Sequence, residues 1–189
     1  AKQLGADWAF TAALFATLGP LLKENHEKGF GLKFAANSFG VDPAVIPRAG
    51  AEAAEALYGT FAFYFLHENT EGMGLVKKNW EEKNVRPEDR TIGFVQAWME
   101  VYMIKAAIEE TLDRVKDWKK IDSKELVTTI QNWGTRDIKG LGKVTYAKDS
   151  RDAKTARMAG IKKGQWVPLS DWRPVPNLVP AEWLKPIYA

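Results

Sequence analysis

The chain has 189 residues, enough for one good hydrophobic core, and its 46% hydrophobic and 27% charged residues are ordinary globular composition. No run of about 18 apolar residues offers a membrane-spanning helix, and the absence of cysteine excludes disulfides, thiol catalysis and thiolate metal sites. A net charge of +3 from 27 basic and 24 acidic residues is too mild to argue for nucleic acid or a membrane surface, and the locally basic stretch 139–163 does not interleave its charges with aromatic rings as a stacking platform would.

Residues 1–7, AKQLGAD, read as the tail of a helix stopped by Gly5 and running into a strand. With no initiator Met and no signal peptide, such a beginning is expected of the C-terminal portion of a longer protein. Trp8–Leu14 is a continuous apolar run, the pattern of a strand buried on both faces. Thr17 can cap the next helix with Pro20 in its first turn, and Leu18, Leu21, Leu22 and Asn25 share one face up to Gly29. Leu32–Ala36 is a second short strand. After the loop Asn37–Val41, Asp42-Pro43 marks a helix N-cap with proline at the first helical position. Residues 51–56 are small and helical, and Leu57–Phe65 is a third strand, aromatic and β-forming. Strand, helix, strand, helix, strand with short loops predicts a doubly wound α/β unit with parallel strands.

The helices then lengthen. Residues 71–84 carry Met73, Val76 and Trp80 at helical spacing. After the linker Arg86–Arg90, residues 92–116 turn Val95, Met99, Tyr102, Met103, Ala106 and Ala107 inward and Lys105, Glu109, Glu110 and Asp113 outward. Asp122 with Glu125 resembles a capping box, and Leu126, Val127, Ile130 and Trp133 make the buried face before Gly134. Gly140 and Gly142 lead into a strand, Lys143–Tyr146. Thr155–Ile161 and Gln165–Leu169 face each other across Lys162-Lys163-Gly164, a tight hairpin in which Gly164 takes positive φ without steric cost. From Trp172 onward the chain holds four of the nine prolines and is expected to run extended over the surface, anchored by Trp172, Trp183 and Tyr188.

The constellations of the common enzymes are absent. His26 and His67 lie far apart, and neither has a second metal ligand at helical spacing. Glu81-Glu82 and Glu109-Glu110 are pairs in sequence only, because adjacent helical residues point about 100° apart, and they read as solvated helix faces. Gly140-Leu141-Gly142 has no third glycine and opens a strand, where a phosphate loop would open a helix. No catalytic residue, metal ligand or cofactor is therefore assigned, and binding remains. In an open parallel sheet, ligands meet the loops at the carboxyl ends of the strands, here Thr11–Ala16 and Asn37–Gly40. Phe15, Asn37, Ser38 and Phe39 supply aromatic surface, an amide and a hydroxyl, the apolar pocket with a few orienting groups that suits a small molecule. The plainer alternative makes Phe15 and Phe39 core residues and Asn37 and Ser38 turn formers.

Several segments carry a resemblance in order and spacing: AKQLGADWAFTA, GLKFAANSFG, AGAEAAEALYGTFAF, FVQAWMEVYMIKAAIE, the strand GKVTY at 142–146 and the hairpin KKGQWVP at 162–168. Together they resemble the C-terminal part of type I periplasmic solute-binding proteins, the branched-chain amino-acid-binding family of ABC importers. The resemblance implies a two-lobed α/β fold with a C-terminal β-hairpin, whose three crossover segments form a hinge that closes over a solute. It puts 1–57 in the second lobe, 58–65 in a hinge crossing, 66–138 in the first lobe, 139–172 in a return crossing with the second-lobe hairpin, and 173–189 in a Pro-rich tail. It implies a small-molecule solute, an ABC permease and a missing N-terminal portion as partners, no nucleic acid, and a periplasmic or lipid-anchored extracellular location. Branched-chain amino-acid binders hold the α-ammonium with an aromatic residue after a second-lobe strand and a carboxylate in the next loop. The matching positions here are Leu14 and Ser38, which have neither chemistry. An ammonium buried without its carboxylate would be an unpaired charge, so the expected solute is an aromatic or apolar acid or another small neutral or anionic molecule. Phe94, Gln96 and Trp98 lie where the family's first lobe approaches the ligand. A ligand-sensing domain of a receptor or regulator with the same fold is the first alternative, and a small-molecule enzyme the second.

Overall fold

Short apolar strands separated by helices build a parallel unit first. A computed structural model describes residues 5–148 and 154–175. Strands β1 (Trp8–Thr11), β2 (Lys33–Ala36) and β3 (Leu57–Phe61) pair in parallel, connected by α1 (Phe15–Glu27) and by the short helices α2 (Val45–Ala49) and α3 (Ala51–Ala54). Ala9, Phe34, Leu57 and Phe61 point to the face covered by α1–α3, where Leu18, Leu22, Val45, Ala49 and Ala53 complete the core. Gly59 permits the close fit of this layer, since a Cβ there would collide with Val41 and with the carbonyl of Ala36.

The chain then leaves the sheet. Phe63 forms an isolated bridge to Gly142, and α4 (Glu71–Glu82), α5 (Ile92–Val115) and α6 (Ser123–Gln131) follow, with a 3-10 turn, Pro87–Asp89, before α5. The ribbon β4 (Gly134–Asp137) and β5 (Lys143–Tyr146) is antiparallel. Residues from 154 return to the first sheet: β6 (Thr155–Lys162) runs antiparallel to β3 and to β7 (Gln165–Pro168), and β8 (Arg173–Pro174) pairs the start of β6. The sheet order is β1-β2-β3-β6-β7.

The α/β class, the parallel unit and the hairpin stand as the sequence implies, with local corrections. The first strand stops at Thr11 rather than Leu14 and is covered on one face only, because Trp8 and Phe10 lie on the side of the sheet opposite α1–α3, Phe10 being 81% exposed. Helix α1 begins at Phe15, so Thr17 is inside it and Pro20 lies in its second turn, on an exposed face. The third strand ends at Phe61, since Tyr64 N–H already turns to Leu141 O (3.0 Å). Asp122 accepts from Glu125 N–H (2.9 Å), but Glu125 pairs with Arg114 (2.6 Å) instead of returning the bond. Val127 is exposed and Thr129 takes the buried place, bonded to Thr111 (2.7 Å). Glu110, with 39% of its side chain exposed, is also paired: it accepts from Trp133 Nε1 (2.8 Å) and from both amino groups of Arg136. In the hairpin, Lys163 (φ 51°) and Gly164 (φ 71°) both take positive φ, the pairing of a type I′ turn. Trp172 packs on Tyr64 as an anchor, whereas Trp183 and Tyr188 lie outside the described residues.

Candidate functional site

The loop after β1 is shaped by Thr11, whose Oγ1 accepts from Ala13 N–H (3.0 Å) and turns the chain out of the sheet. Leu14 then takes the N-cap place of α1 without a side-chain bond, its carbonyl receiving Thr17 and Leu18 N–H (3.0 Å each), and its side chain is exposed. Phe15 is half-buried against the core, with the Arg48 guanidinium 5.0 Å above its ring.

The loop after β2 is a turn built by Asn37. Its N–H reaches Thr11 O (3.4 Å), tying the two loops together. Its Oδ1 accepts from Phe39 N–H (3.3 Å), and its carbonyl from Gly40 and Val41 N–H. Ser38 is partly exposed and Phe39 is 55% exposed. Leu14, Phe15, Asn37, Ser38 and Phe39 thus gather at the carboxyl ends of two neighbouring parallel strands. Asn37 serves the turn with its side chain, and Phe39 is not core.

Phe94 and Trp98 are elsewhere. With Ala97, Val101 and Tyr102 they line an apolar cavity of about 450 Å³ on α5, and Phe94 meets Trp80 edge-on at 6.0 Å. Gln96 is partly buried on a neighbouring face of the helix and does not line it.

What joins the two groups is Asp42, which sequence reading reduced to a helix cap. It is 1% exposed; its Oδ1 accepts from Ala44 N–H (2.8 Å) and its Oδ2 from Ile92 N–H (2.7 Å), at the start of α5. Burial pushes its carboxyl up, against the lowering effect of those two bonds and of Arg48. Arg48 Nη1 donates to Ala44 O and to Glu88 O (2.8 Å each), and among the described residues no carboxylate lies within ion-pairing distance of it.

A second junction lies where the chain crosses between the sheet and the helices. Arg157 on β6, 6% exposed, grips both oxygens of Glu68 and donates to Phe63 O (3.3 Å), with its guanidinium 4.1 Å over Phe65 and 4.9 Å from Trp172. Burial alone would raise Glu68, but the hydrogen bonds from Arg157 and Phe65 N–H and the nearby positive charge hold it below the usual carboxylate range. Burial, reinforced by the bond to Asp137 (2.6 Å), pushes the Tyr64 hydroxyl up to about 12. His67 stacks flat on Phe65 at 5.5 Å, and burial pushes its imidazole down. Among the described residues no group of three acidic or histidine side chains could hold a metal.

A sequence profile described as periplasmic binding protein matches residues 1–165. The chain belongs to the periplasmic binding protein family. Solved structures that share its fold include proteins described as substrate-binding proteins of ABC transporters. A branched-chain amino-acid ABC transporter protein from Thermus thermophilus, solved with bound valine, is similar with a TM-score of 0.80 at 20% identity, over 92% of this chain and 47% of that one. A fatty-acid ABC transporter substrate-binding protein from Thermomonospora curvata is similar at 0.67 and 12%, over 88% and 43%. A solute-binding protein of R. palustris in complex with benzoate is similar at 0.64 and 17%, over 89% and 43%. At such identities the likeness is one of fold. Among curated proteins none matches. This periplasmic binding protein chain spans a little under half the length of those solved structures. No helix of the described residues is long and apolar enough to cross a membrane.

Proposed function

We propose that this chain provides part of the solute site of a periplasmic protein that captures a small organic acid and delivers it to the permease of an ABC importer. The observation that carries the reading is the charge pattern around the two strand-end loops. Residues 11–16 and 37–41 contain no Asp or Glu. The Asp42 carboxylate, next along the chain, is buried at 1% exposure and turned to two backbone N–H groups, so it is not presented to an ammonium at the loop surface. The Arg48 guanidinium lies 5.0 Å from the Phe15 ring. Aromatic surface with a cation and no free anion favours a carboxylate attached to an apolar or aromatic body over an α-amino acid.

In this reading residues 1–57 and the hairpin belong to one lobe, 66–138 to the other, and 58–65 to the hinge. Closure around the solute is stabilised by contacts made to both lobes at once. The uncovered side of β1 (Trp8, Phe10) and the apolar face of α5 (Phe94, Trp98, Val101, Ile104) are then surfaces completed by the rest of a two-lobed protein. Calorimetric titration with benzoate and valine tests this. The complete two-lobed protein binds benzoate tightly and valine at least about tenfold more weakly, while the 189-residue chain alone binds neither tightly. Tight binding by the chain alone, or a preference for valine, overturns the reading.

A further inference from the structure

Between α2 and the β6–β7 hairpin lies a cavity of about 340 Å³ that neither the strand-end loops nor α5 enters. Phe61, Phe65 and Trp166 form its floor, with ring centroids 4.8 Å apart for Phe61–Phe65 and 6.1 Å for Phe61–Trp166. The indole N–H of Trp166 is already given to the Asp42 carbonyl (3.3 Å), so that ring offers the cavity apolar surface and no donor. Pro43, Pro47 and Pro87 stand around the floor, and their fixed φ gives the wall a shape made before anything binds. Arg157 fastens residues 63–68 to β6 through Glu68 and the Phe63 carbonyl, so Phe65 and His67 keep their places beside the sheet. Pro87 alone comes from the segment of long helices, and a movement between lobes would shift that edge and leave the floor intact.

Among the described residues no Asp, Glu, Lys or Arg lines the cavity. Its polar side chains are Gln165 and His67, both exposed, the latter lying flat on Phe65 at 5.5 Å. Among the described residues neither ring nitrogen of His67 has a hydrogen-bond partner. Burial favours the uncharged imidazole, in which one basic nitrogen is an open acceptor. A charged ligand would enter without a counter-charge, whereas a flat neutral ring would lie on the aromatic floor and satisfy that acceptor. We propose that this cavity is a second binding site, for a small neutral aromatic molecule whose single N–H or O–H is accepted by His67. It stands apart from the solute site, since residues 11–16, 37–41 and 94–98 do not line it.

Indole, a flat neutral ring with one N–H, is the probe, and 1-methylindole, which lacks that donor, is its control. In calorimetric titration of the complete two-lobed protein, indole should bind about tenfold more tightly than 1-methylindole. His67→Phe keeps a flat ring on Phe65 and removes the acceptor, so it should bring the two ligands to equal affinity. A merely structural role for His67 would weaken both alike and leave their ratio in place. Ile46→Trp, which puts a larger ring into the cavity from α2, should weaken both at least about tenfold. Phe39→Ala, in the loop after β2, should leave both unchanged, and benzoate should not displace indole. If Ile46→Trp does not fold, the affinity ratio in His67→Phe decides. A parent that binds no indole at millimolar concentration, a preference for indole that survives in His67→Phe, or indole binding lost in Phe39→Ala or displaced by benzoate would overturn the second site.

Discussion

Asp42 and Glu68 both accept backbone N–H groups at places where the sheet meets the helices, yet their surroundings differ. Asp42 is almost fully buried and answered by two peptide dipoles, with Arg48 acting only at a distance. Glu68 is 27% exposed and gripped directly by the Arg157 guanidinium, itself enclosed by Phe65 and Trp172. Their carboxyls accordingly move in opposite directions, Asp42 up and Glu68 down. A direct counter-charge outweighs partial burial, and peptide dipoles alone do not outweigh nearly complete burial.

The largest effect should come from breaking the ion pair on its more exposed side. Glu68→Gln leaves the buried Arg157 without its charge partner and should destabilise by about 3 kcal/mol in urea unfolding. Arg157→Met leaves Glu68 able to regain water and should remove less, about 1–2 kcal/mol including the lost ring contacts. Equal losses would show that exposure does not set the asymmetry. Asp42→Asn should cost about as much as the arginine variant, about 1–2 kcal/mol, because the amide turns a donor toward one of two buried N–H groups.

The pH dependence sharpens the comparison. The depressed Glu68 contributes stability that is present above its unfolded pKa of about 4.3 and lost as pH falls through its lower folded value. The raised Asp42 works the other way: its charged form is penalised in the fold, and that penalty is relieved as pH falls through its folded pKa toward the unfolded value of about 3.9. Acid titration of stability should thus narrow the gap between the parent and Glu68→Gln while widening that between the parent and Asp42→Asn. Gaps that change in the same direction would break the contrast. The smallest stability effect belongs to Phe39→Ala, within about 0.5 kcal/mol for a side chain more than half exposed. That variant should nevertheless weaken benzoate binding by the complete protein about tenfold.

Much of the fold was legible because it is written locally. The apolar strands at 33–36 and 57–61, the helix at 92–115 and the Lys163-Gly164 turn each follow from residues next to one another. The open side of β1 was not, because an apolar run such as WAFT reads the same whether or not something covers its second face. The loops bearing Phe15 and Asn37–Phe39 were found from their place after parallel strands. Their connection to α5 was invisible, since Asp42-Pro43 carries a complete local explanation as a cap and its second oxygen finds a partner far along the chain. Arg157 and Glu68 escaped for the same reason: an arginine in a strand and a glutamate in a turn announce nothing until folding brings them together.

The most direct test of the solute reading is native mass spectrometry of the complete protein, followed by denaturing release of whatever it carries. The account predicts a single small organic acid without an amino group, lost on unfolding and replaceable by benzoate. A bound α-amino acid that benzoate does not displace, or a protein that holds no small molecule even with benzoate added, would contradict it.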